Sequence, residues 1–92
     1  GRPEPRGATL GPVTPDPLTS VSRVSFRLPR EADVTLDLLD LQGRTLRSLA
    51  ESRYAAGEHT LAIGRDGLPA GIYWLRLHTG DTVQHARFVV LH

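Results

Sequence analysis

The chain contains no cysteine, methionine, lysine or asparagine. Without thiols there is no disulfide, iron–sulfur cluster or thiolate zinc site, and without lysine there is neither a Schiff base nor a phosphate-loop lysine. The missing cysteine leaves the compartment open, because it suits a reducing cytosol and equally an exported bacterial domain held together by a sheet. Charge of one sign is also lacking: 11 basic residues, all arginine, face 10 acidic ones for a net +1. That balance gives no general attraction to nucleic acid or to a membrane surface. No apolar run approaches the roughly 18 residues of a membrane span, and the N-terminus has no basic-then-apolar signal pattern. The chain opens at Gly1 without methionine, as a piece of a longer protein would.

What is present fits one small domain. Ninety-two residues bury a modest share of their surface and leave little core to carve into a catalytic cleft, so an enzyme is not expected. Five of the seven prolines fall in the first 17 residues (Pro3, Pro5, Pro12, Pro15 and Pro17). Each fixes φ and removes a donor, so residues 1–14 read as an extended linker or arm and 15–92 as the folded domain. A short edge strand near Ala8 to Val13 is compatible with the prolines, since an edge tolerates missing donors.

From Val21 onward the apolar residues alternate. Val24, Phe26 and Leu28 share one face before Pro29, and Val34, Leu36 and Leu38 repeat the pattern over Asp33 to Leu41. Gln42-Gly43 supplies a turn into a return strand, Thr45 to Leu49, although Leu46 and Leu49 are equally spaced for one helical turn within 45–54. Further strands are expected over Glu58 to Ile63, Ile72 to His78 and Thr82 to Leu91. A two-residue turn at Gly80-Asp81 pairs Tyr73 with Phe88, Leu75 with Ala86 and Leu77 with Gln84, and sets Trp74 opposite Arg87 on the other face. The expected fold is all-β, an antiparallel immunoglobulin-like β-sandwich of six to seven strands.

Candidate chemistry is sparse. The four histidines show no metal-ligand spacing, so no metal or other cofactor is expected. Asp37 and Asp40 point to opposite strand faces and suit a solvated face and a turn rather than an acid–base pair. No serine lies in a nucleophile elbow, and Gly64, Gly67 and Gly71 make turns rather than a dinucleotide fingerprint. No catalytic residue is expected. Trp74 is the candidate exposed aromatic, placed to stack on a sugar ring, to lie over Arg87 or to be covered by the N-terminal arm.

Taken in order, Pro15-Asp16-Pro17, Val24 to Pro29, Val34 to Leu41 with Gln42-Gly43-Arg44, Ala56 to His59, Gly67 to Tyr73 and Arg87 to Leu91 resemble the type IX secretion system C-terminal sorting domain. The stretch is also similar to the immunoglobulin-like domain of the flagellar hook-capping protein. The first resemblance implies a β-sandwich at the end of an N-terminal cargo protein of Bacteroidetes-type bacteria. It implies recognition by outer-membrane secretion machinery, transport to the cell surface or medium, and removal by a sortase-like peptidase. It also implies recognition through Asp16, Pro17, Gly71, Tyr73, Arg87, Val89 and Val90, with Asp16 standing where the family has Asn and Arg87 where it has Lys. The second resemblance implies a non-catalytic structural module. A carbohydrate-binding module of a secreted enzyme is a third reading, resting on Trp74.

Overall fold

The structure, a computed structural model, describes residues 7–15, 20–80 and 82–91. Alternation in the sequence becomes seven strands: β1 (Thr9–Pro15), β2 (Val21–Leu28), β3 (Ala32–Leu39), β4 (Thr45–Tyr54), β5 (Gly57–Gly64), β6 (Gly71–Thr79) and β7 (Thr82–Val90). They form two antiparallel sheets, one of three strands in the order β1-β2-β5 and one of four in the order β4-β3-β6-β7. The inward residues of both sheets meet in one core of Val24, Phe26, Leu28, Val34, Leu36, Leu38, Ile63, Leu75, Leu77, Phe88 and Val90, each at most 2% exposed. Two apolar faces that alternate with polar outward residues can be hidden only by packing on each other, and the result is the expected β-sandwich.

The expected edge strand is β1, which lies on β2 and touches β7 across the side of the sandwich. Its register slips between Leu10 and Val13, around Gly11 and Pro12. There the strand has one proline without a donor and one glycine whose added Cβ would stand 3.1 Å from the Ser25 carbonyl oxygen. Gln84 on β7 accepts the Leu10 amide at 2.7 Å and so ties the two edges together.

The segment 45–54 is a strand throughout and not a helical turn, longer than the expected return strand ending at Leu49. Pairing with β3 from Ala32–Tyr54 to Leu39–Thr45 satisfies its backbone, and Leu46 is left 45% exposed. The preceding strand stops at Leu39 rather than Leu41, because Asp40 folds the chain into the turn. Asp40 accepts the amides of Gln42 and Arg44 and the Arg44 guanidinium. Gly43 sits there at φ 86°, where a side chain would be strained.

Candidate recognition site

The β6–β7 hairpin carries most of the residues singled out in the sequence. Its register is the expected one, from Gly71–Val90 through Tyr73–Phe88, Trp74–Arg87, Leu75–Ala86 and Leu77–Gln84 to Thr79–Thr82. Asp81 in its turn, like Asp16 and Pro17, lies outside the described residues.

Period-two geometry divides the remaining candidates between two environments. Tyr73 and Val90 point inward, 8% and 0% exposed. The Tyr73 ring packs against Phe88 with centroids 6.2 Å apart. Its hydroxyl donates to the Pro69 carbonyl at 2.5 Å, which fastens the loop before β6 to the strand itself. Gly71 opens β6 at φ 155°, a backbone shape in which any Cβ is strained although the space around it is empty. Arg87 and Val89 point outward. Arg87 is exposed opposite Trp74, which is 37% exposed, and Val89 is 41% exposed opposite Ile72 at 44%. Ile72 is a residue that the sequence reading passed over, although the hairpin register places it beside Val89.

The outer face continues onto β3. Leu39 pairs with Trp74 and Asp37 with Arg76. Asp37 is not a solvated carboxylate: it is 8% exposed and accepts a hydrogen bond from Arg76 Nη2 at 3.1 Å. The sequence shows the alternation but not the arginine three strands later in the chain that covers this face. The Asp40 carboxyl is held below the usual carboxylate range, first by the Arg44 amide, with the Arg44 guanidinium and the Gln42 amide adding to it against an opposing effect of desolvation.

Two arginines make contacts that the sequence reading did not foresee. Arg65 donates to the Val21 carbonyl and to the Ser22 hydroxyl, while its amide donates to the Ser20 carbonyl, so the β5–β6 loop is sewn to the start of β2. Arg47 donates to the Gly64 and Asp66 carbonyls from β4. Both contacts join segments far apart in sequence, which spacing alone does not reveal. Among the described residues the histidines do not converge. His59 stacks beside Phe26 and Tyr54, His78 and His85 are exposed on the hairpin, and among the described residues no cluster could hold a metal ion.

A family model, the secretion system C-terminal sorting domain, matches residues 12–91. The chain belongs to this family. No curated protein matches it. As a C-terminal sorting domain it is the signal for type IX secretion of a cargo protein, sending the cargo across the outer membrane to the cell surface or the medium. The sorting domain interacts with that secretion machinery and is not catalytic in itself. The match favours sorting over the structural-module and carbohydrate-binding readings. Among the described residues no helix is long and apolar enough to cross a membrane.

Proposed function

We propose that the secretion machinery reads the folded sorting domain on the outward side of its closing hairpin, with Arg87 and Val89 as the contact residues. The observation that carries this is their placement: they lie on one exposed face of the last strand, next to Trp74 and Ile72. Gly71, Tyr73 and Val90 serve the same recognition indirectly, by fixing the start of β6, the Pro69 loop and the packing of β7. Asp16 and Pro17 form a second recognition element that follows β1. Residues 1–14 lead from an N-terminal cargo into the domain 15–92, and a sortase-like peptidase separates the two after export. The division at residue 14 falls within β1, so fusions should retain the whole strand.

The test fuses residues 1–92 to a fluorescent reporter that carries a secretory signal, in a bacterium with type IX secretion and in its translocon-deficient mutant. Reporter reaching the surface or medium only in the competent strain is the expected outcome, with Arg87→Glu and Val89→Asp retaining it in the periplasm while leaving the domain folded. Normal export of both variants would overturn the assignment of these contacts.

A further inference from the structure

Across the outer face of the four-stranded sheet one ladder row runs Thr45, Leu39, Trp74, Arg87, and the neighbouring row of the hairpin holds Ile72 and Val89. Trp74, Ile72 and Val89 leave a contiguous apolar strip in solvent, on a strand surface where period two calls for polar side chains. Beside the strip lies a shallow recess of about 390 Å³ lined by Leu39, Asp40, Gly43, Trp74 and His85. Its floor is apolar, Leu39 being 4% exposed.

The charges around this recess have one free sign. Asp37 is engaged by Arg76, and Asp40 by two amides and the guanidinium of its own turn. Arg87 makes no ion pair with the described residues, and His85 stands exposed on the same strand. The carboxylates are therefore engaged locally, while the Arg87 fork remains available on the strand beside Trp74.

We infer that this face docks an acidic peptide segment in which carboxylates alternate with apolar side chains. One aromatic or branched side chain seats in the recess against Trp74, and a neighbouring carboxylate meets the Arg87 fork. The inference rests on the reading of Arg87 and Val89 as the recognition strip and supplies the chemistry of the partner. A second copy of the chain fits poorly, because a two-fold contact presents the same strip on both sides, whose carboxylates Asp37 and Asp40 are already engaged and leave Arg87 no partner. A neutral glycan needs unoccupied polar groups around the stacking ring to fix its hydroxyls. Here the adjacent carboxylate is already held by its turn.

Trp74 is the only tryptophan in the chain, so its emission reports this site alone. The full chain is titrated at low salt with a peptide alternating Glu with Phe and Val. Three further probes are run beside it: a Glu-only peptide of equal charge, a counterpart with Lys in place of Glu, and maltohexaose. The expected result is a saturable emission shift with the Glu–Phe–Val peptide, much weaker for the other three, and fading as salt is raised. Backbone amide shifts, needed once the indole is gone, should show binding weakened about tenfold or more in Trp74→Ala and Arg87→Glu, with circular dichroism showing both variants folded. No binding, equal binding of the Lys peptide, or binding undiminished in both variants overturns the inference. Binding of maltohexaose alone overturns it in favour of a sugar platform. Loss of export in Arg87→Glu together with no peptide binding rejects this partner chemistry and leaves the recognition strip standing. Normal export together with Trp74-dependent peptide binding rejects the strip as the export signal and retains the docking face.

Discussion

Asp37 and Asp40 are near neighbours in sequence with separate tasks. Asp37 lies under Arg76 on a nearly closed part of the outer face. Its removal leaves a guanidinium without its partner. Asp37→Ala should cost about 1–2 kcal/mol, a fall in Tm of about 5–10 °C. The double variant with Arg76→Ala should lose less than the two single losses together, because the second change removes a group already orphaned. Thermal unfolding of the three variants decides this. Asp40 is a matter of pH. Its folded carboxyl titrates below its ordinary value of 3.8, so it stabilises the fold when the pH is above that value, and the contribution disappears as the pH falls through the depressed folded value. Asp40→Ala should therefore be less stable than the parent at neutral pH, and the difference should shrink on acidification below about pH 4. Urea midpoints measured across the acid range test both the sign and the window.

At the scale of elements, the strands differ in how firmly each is held. β6 is flanked by β3 and β7 and carries Leu75 and Leu77 into the core at 0% exposure. β1 lies at an edge, contains prolines, slips register once and depends on a side chain of another sheet for the Leu10 amide. Gln84→Ala removes that acceptor. The Leu10 amide should then exchange with solvent about fivefold faster, the equivalent of about 1 kcal/mol, while amides in the middle of β6 keep their protection. Hydrogen exchange followed by NMR resolves the two strands. The comparison of β1 with the β6–β7 hairpin also shows how much was readable in advance. The hairpin register follows from one short turn and period two, both local, and every expected pair within it formed. The extension of β4 to Tyr54 and the burial of Asp37 were not readable, because bulges at Leu36/Asp37 and Leu38/Leu39 and an arginine from another strand decide them.

For the whole molecule the difficulty is to separate recognition from folding, since a sorting domain that does not fold cannot present a signal. Adjacent Val89 and Val90 offer that separation. Val90 is fully buried, and Val90→Ala should cost about 2 kcal/mol through lost burial and a residual cavity. Val89 lies outside, and Val89→Asp should change stability by no more than about 0.5 kcal/mol. Calorimetry alongside the export assay distinguishes the two. Export lost in Val89→Asp at unchanged Tm belongs to the surface, whereas export restored on lowering the growth temperature of Val90→Ala belongs to the fold.

The sequence alone determined the strand class, the hairpin pairing, the turn at Gln42-Gly43 and the family, because alternation, turn chemistry and ordered motifs are written along the chain. Tertiary structure alone decided which strands share a sheet, how β1 is tied to β7, that Arg76 covers Asp37, and that Leu39 and Trp74 border one recess. Those features arise where segments remote in the chain are pressed together by the need to hide two apolar faces. No local pattern records which distant residue will cover a given one.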